Sequence, residues 1–147
     1  MKIYEIYDNK KDYIELLLLG DEEEDMIDRY IDRGRMFVLD DNGVKAECVV
    51  TEEEDGVIEI KNIAVLCQYQ RKGYGRTLID FVAKEYGGKG HILEVGTGDS
   101  PLTIPFYKKC GFEFSHIEKN FFTDNYKKPI YENGVQLVDM IYLKKEI

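Results

Sequence analysis

The sequence predicts an α+β (mixed α/β) layered fold: a central, mostly antiparallel sheet of about seven strands flanked by about four helices. Three observations carry this. Apolar and polar residues alternate on either side of two turn signals, Asp40-Asp41-Asn42-Gly43 and Asp55-Gly56, which marks an antiparallel meander. From Lys72 to Tyr86 the period changes from two to 3.6, with Leu78, Ile79, Val82, Ala83 and Tyr86 forming one apolar stripe. Ile92 to Val95 is then a short, uniformly apolar run, suited to a parallel strand buried on both faces.

The remaining elements follow in chain order. Lys2 to Tyr7 alternates as a strand, and Lys10 to Leu19 reads as a helix. Asp21 to Asp32 predicts a second helix, because carboxylates near an N-terminus complement the helix dipole, and Arg33-Gly34 ends it. Met36 to Leu39, Val44 to Thr51 and Val57 to Leu66 are the strands of the meander. Gly87-Gly88 stops the helix from Lys72 to Tyr86. A helix near Thr103 to Cys110 keeps Pro105 in its first turn and ends at Gly111. Phe112 to Phe122 and Val135 to Leu143 are closing strands. The loop between them, residues 123–134, is longer than an ordinary hairpin loop and suits a lid, a substrate wall or a cover for the sheet edge.

Length and composition narrow the function. A chain of 147 residues is one domain, residues 1–147, with a core large enough to need no staple. The net charge of −9 repels nucleic acid. The acidic runs Asp21 to Asp25 and Glu52 to Asp55 read as solvated surface, or more sharply as a rim that attracts a cationic amine. No apolar run approaches the ~20 residues that span a bilayer, and no signal-peptide pattern is present, so a cytoplasmic protein is expected. Cys48, Cys67 and Cys110 form no Cys-x-x-Cys pair and are expected as free thiols. His91 and His116 lack metal-ligand spacing, and no metal is expected.

The chemistry concentrates in one segment. A strand, a short loop and then Gly73 and Gly75 opening a helix form an anion-binding arrangement, since the first amides of a helix point outward without intrahelical partners. Glycines let a pyrophosphate approach the backbone, and Arg71 and Lys72 add positive charge. There is neither Gly-x-Gly-x-x-Gly nor Gly-Lys-Ser/Thr, which disfavours a dinucleotide fold and a nucleotide hydrolase. Upstream, simple alternation puts Glu59 on a face with Val57, Lys61, Ile63 and Val65, opposite Ile58, Ile60 and Ala64. A carboxylate there is either a partner for Lys61 or a general base, acting directly or through water on an ammonium. Tyr107 reads as an amphipathic core aromatic in a short helix.

Three ordered segments resemble the GNAT superfamily of acyl-CoA-dependent N-acetyltransferases, in a bacterial single-domain form: Glu59 to Val65, Gln70-Arg71-Lys72-Gly73-Tyr74-Gly75, and Phe106 to Phe112. With the order of elements, the resemblance runs from about Tyr30 onward. It implies a sheet splayed between its fourth and fifth strands, with acetyl-CoA in the cleft as co-substrate. It implies that amides from Arg71 through Lys72, Gly73, Tyr74 and Gly75 to Arg76 hold the pyrophosphate. Ile63, Ala64 and Val65 would lie along the pantetheine, with backbone groups of Ile63 and Val65 pairing to it and the Val65 amide facing the thioester carbonyl. Glu59 would be the base, and the Tyr107 hydroxyl the group that protonates the departing thiolate. A homodimer is compatible with exposed sheet edges by the same resemblance. The expected reaction is direct acetyl transfer to a primary amine of a small cationic molecule. Peptide or protein amines, and a non-catalytic acyl-CoA-binding or sensing module, are the alternatives.

Overall fold

The structure, a computed structural model, describes residues 1–147. Seven strands form one sheet. The meander is β1 (Lys2–Ile6), β2 (Arg35–Asp40), β3 (Val44–Glu52) and β4 (Val57–Val65), each antiparallel to the next. Its first tight turn uses Asn42 and Gly43 at positive φ, as its sequence requires. β5 (Ile92–Gly98) pairs in parallel with β4 and antiparallel with β9 (Met140–Glu146), and β6 (Glu113–Glu118) closes the edge.

Two apolar layers cover the sheet. On one face, α3 (Tyr74–Tyr86) buries Leu78, Ile79, Val82 and Tyr86 against Phe37, Leu39, Ala46, Cys48, Val50, Ile58 and Ile60. α4 (Thr103–Lys109) adds Tyr107 to this core, and Cys110 and Phe112 just beyond it join the same cluster. On the other face, α1 (Ile14–Gly20) and α2 (Glu24–Ile27) bring Leu17 and Ile27 onto Met36, Val38 and Val49.

Three stretches differ from the sequence reading. The helix expected over Asp21 to Asp32 is regular only over α2, and residues 28–33 are turns. Its carboxylates do not cap it: Asp21 accepts from the hydroxyls of Tyr30 and Tyr126, and Glu23 accepts from the amides of Lys127 and Lys128. The strand expected to run to Phe122 stops at Glu118. Asn120 takes a left-handed conformation, its amide donates to Asp139, and α5 (Phe121–Asn125) begins. The strand expected over Val135 to Leu143 is split. β8 (Val135–Gln136) pairs with β7 (Tyr131–Glu132) as a small hairpin around Asn133-Gly134, and β9 starts only at Met140. Leu137 leaves the strand path to fill the space over Gly98, where a Cβ would sit 2.6 Å from it.

One buried group has a stability consequence. Glu47 on β3 is fully buried, neither carboxylate oxygen has a hydrogen-bond partner, and burial pushes its carboxyl well above the usual range. Its folded-state value lies above the unfolded one, so its contribution is present at low pH and is lost as pH rises past the ordinary carboxylate value. Glu47→Met is therefore expected to raise stability at pH 7 by about 1–3 kcal/mol. Denaturant titration checks it, and the gain should shrink toward about pH 4.

Candidate active site

The site begins where β4 and β5 part. They pair only over Val57–Ile60 and Ile92–Val95. Beyond that, β4 runs on to Val65 beside β3, while β5 runs to Gly98 beside β9, so the sheet opens into a cleft. At the same point Lys61 is bulged out of the β3–β4 ladder: Val49 faces Asn62 and Val50 faces Ile60.

This bulge corrects the simple alternation. Ile63 and Val65 pack against the α3-side cluster with Ile58 and Ile60, and do not share a face with Glu59. Asn62 points to the α1 side, where its amide donates to the Leu17 carbonyl and to the Tyr30 hydroxyl. The one-residue insertion reverses the register of side chains for the rest of the strand.

The ladder phase then sets the open edge. The Leu66 amide donates to the Lys45 carbonyl at 2.9 Å, so the neighbouring Val65 and, two residues back, Ile63 turn their main-chain groups away from β3. Ala64 turns its own toward β3. The Val65 carbonyl accepts instead from Gln70 Nε2 at 3.2 Å.

At the mouth, Arg71 (φ 64°) and Gly73 (φ 88°) are both left-handed, curling the loop into the start of α3. The first intrahelical bond there is Thr77 N–H to Gly73 O, so the amides of Tyr74, Gly75 and Arg76 are free of helical partners. Nothing lies within 4 Å of where a Gly73 Cβ would be, whereas a Gly75 Cβ would meet Phe106 at 3.3 Å and Val65 at 3.8 Å. The first glycine leaves room outside, and the second seats the helix against β4 and α4. The Tyr74 hydroxyl donates to Asp41 at 2.6 Å and anchors the loop. Arg71, Lys72 and Arg76 are exposed.

Behind the mouth is a cavity of about 360 Å³ lined by Glu59, Lys61, Asn62, Ile63, Thr97 and Tyr107 among others. The structure thus brings Glu59 and Tyr107 to one chamber. Glu59 Oε2 is 3.0 Å from Lys61 Nζ. Burial raises the Glu59 carboxyl above its ordinary value, and the lysine opposes that rise. Tyr107 is buried, edge-on to Phe106 and Phe112, and burial raises its hydroxyl, which holds the proton firmly. Cys48 and Cys110 are buried free thiols, and Cys67 is exposed. No group of three or more His, Cys, Asp or Glu side chains is arranged to hold a metal ion. No helix is long and apolar enough to cross a membrane.

The far wall was not legible in the sequence. Asn62, Tyr30, Asp21 and Tyr126 form one hydrogen-bonded chain, with Tyr30 at 3.0 Å and Tyr126 at 2.7 Å from the two oxygens of Asp21. This chain ties the segment 120–137 across the cleft. Lys127 pairs with Asp25, and Arg29 donates to Asn125. Phe122, Ile130 and Leu137 form this segment's own small core and line the cavity. The acidic run from Asp21 holds the segment in place. The only signal for it was an acidic run matched, a hundred residues on, by Tyr126-Lys127-Lys128.

The sheet opens at one parallel pair, free helix amides stand at its mouth, and a carboxylate and a phenol share one chamber. The chain belongs to the acetyltransferase (GNAT) family, whose domain matches residues 32–114. It is 35% identical over 132 residues to the uncharacterized N-acetyltransferase YvbK of Bacillus subtilis, covering 88% of this chain and 85% of that one. A GNAT family acetyltransferase from Elizabethkingia anophelis, solved with acetyl-CoA bound, superposes with a TM-score of 0.91 at 35% identity over 99% and 97% of the two chains. The ribosomal protein bS18-alanine N-acetyltransferase of Escherichia coli is 32% identical over 89 residues, 58% of this chain and 60% of that one.

Proposed function

We propose that this protein moves an acetyl group from acetyl-CoA directly onto a primary amine of a small cationic molecule. The observation that carries the reading is the convergence of Glu59, Tyr107 and the open edge of β4 on one cavity. Acetyl-CoA supplies the activated thioester. The free amides of Tyr74, Gly75 and Arg76, with the exposed Arg71 and Lys72 around the left-handed Gly73, fit its pyrophosphate. The outward main-chain groups of Ile63 and Val65 fit its pantetheine, with Ala64 between them holding the strand to β3. The Val65 amide donates to the developing oxyanion. Glu59 takes the ammonium proton, because its burial raises its basicity while Lys61 keeps it ionised. The Tyr107 hydroxyl gives a proton to the departing thiolate.

Asp21, Glu22, Glu59 and Glu132 line the chamber against Arg29, Arg33 and Lys61, and with Tyr30, Phe121, Tyr126 and Tyr142 this slight acidic excess among aromatics suits a cation with an apolar body. The lid tied down over this wall favours a small acceptor over a peptide. The bS18-alanine relative supports a peptide amine as the second reading.

Thiol release from acetyl-CoA across a panel of diamines, aminoglycosides, monoamines and N-terminal peptides, followed by mass identification of the product, tests both readings. A small amine product supports the first, peptide product alone supports the second, and tight cofactor binding with no product rejects both. Separately, Gly73→Val should weaken acetyl-CoA binding about tenfold, because a branched side chain strains the left-handed turn that aims the free amides and also stands in the approach to them, as calorimetry would show.

A further inference from the structure

Glu59 of β4 sits directly beside Glu94 of β5 in the parallel ladder. Their neighbours Ile58, Ile60, Leu93 and Val95 all face α3, so both carboxylates project from the opposite face, on strands about 4.8 Å apart. Across β9, Glu94 Oε1 lies 3.9 Å from His116 Nδ1 on β6. The His116 ring stacks on Tyr142, centroids 4.6 Å apart and planes within 7°, and Ser115 Oγ lies 3.0 Å from the same ring nitrogen. Side-chain exposure rises along the series, from 12% at Glu59 to 18% at Glu94 and 54% at His116. An acceptor filling the lidded cavity would cover Glu59, leaving the proton it takes without a direct way to bulk water.

We propose that Glu94 and His116 carry that proton from Glu59 to solvent in each turnover. The inference rests on Glu59 being the base. Glu59 carboxylate receives the proton of the acceptor ammonium. The resulting acid passes it to the Glu94 carboxylate, and Glu94 passes it to the Nδ1 lone pair of His116 once a bridging water or a turn of the ring away from Ser115 closes the 3.9 Å separation. The imidazolium then gives up a proton to water, and exchange with solvent restores the tautomer with the proton on Nε2, which returns all three groups to their starting state. Lys61, 3.0 Å from Glu59, favours the return of its ionised form. Other charged groups around these carboxylates include Arg33, which pairs with Glu53 before β4 and lowers the Glu59 carboxyl, Lys144 opposite Glu94 on β9, and Glu118, which accepts from the Tyr142 hydroxyl. Burial and the Glu59 charge raise the Glu94 carboxyl, and His116 lowers it.

Two measurements on the full chain test this. With an amine identified by the thiol-release panel, Glu94→Gln and His116→Ala are each expected to slow turnover about tenfold with little change in either KM, and added imidazole should restore His116→Ala. Carbon-13 titration of the labelled carboxyls needs no acceptor. There the Glu94 midpoint should fall in Glu59→Gln and rise in His116→Ala. Unchanged turnover in either variant, a loss that imidazole fails to restore, or a Glu94 midpoint indifferent to both substitutions overturns the relay. If no amine reacts, the acetyltransferase reading fails, and the titration still decides whether the three groups share protons.

Discussion

Glu59→Gln is expected to lower turnover by about a hundredfold or more while leaving acetyl-CoA affinity within about twofold. The carboxylate lies in the chamber and away from the Gly73 cradle, so binding and chemistry should separate. The substitution is nearly isosteric and removes one half of the 3.0 Å pair with Lys61, so the fold should survive it. A pH profile sharpens the assignment. Burial raises the Glu59 carboxyl, so the acid limb of kcat/KM should lie above the ordinary carboxylate range and disappear in the variant. Lys61 opposes that rise, so Lys61→Met should move the limb to higher pH. A Glu59→Gln protein that turns over at the parent rate would leave the residue as a structural partner of Lys61 and nothing more.

Tyr107→Phe is expected to slow turnover by about ten- to a hundredfold at almost unchanged acetyl-CoA affinity and melting temperature. The ring keeps its edge-on packing against Phe106 and Phe112, so only the hydroxyl is lost. That hydroxyl makes no side-chain hydrogen bond, and burial keeps it protonated, the state a proton donor to a thiolate needs. Single-turnover kinetics beside a binding isotherm would separate the two effects. Equal losses in binding and turnover would return Tyr107 to the core as a packing residue.

Glu59 was visible in the sequence for a local reason, a carboxylate interrupting an alternating apolar strand, whereas Tyr107 read locally as a core aromatic and stood out only through the family resemblance. The turn that opens α3 was visible because two glycines before a helical stripe are a backbone statement. What alternation could not supply was the effect of Lys61. A bulge is decided by how β3 and β4 settle against two different layers, and it moved Ile63 and Val65 off the Glu59 face. The end of β6 is a similar case. Phe121 and Phe122 have strand-like composition, but Asn120 in a left-handed turn and a distant Asp139 carboxylate make them a helix.

By itself, then, the sequence determined the antiparallel meander, the parallel return through β5 and the glycine turn that opens α3. Each of these is written in short-range periods, turns and caps, which neighbouring residues enforce. Only the tertiary structure decided which way the far half of β4 faces, where the acidic run at Asp21 is used, and that Glu94 and His116 stand in line with Glu59. Those features depend on contacts between segments some twenty to over a hundred residues apart, where register and layer packing outweigh local pattern.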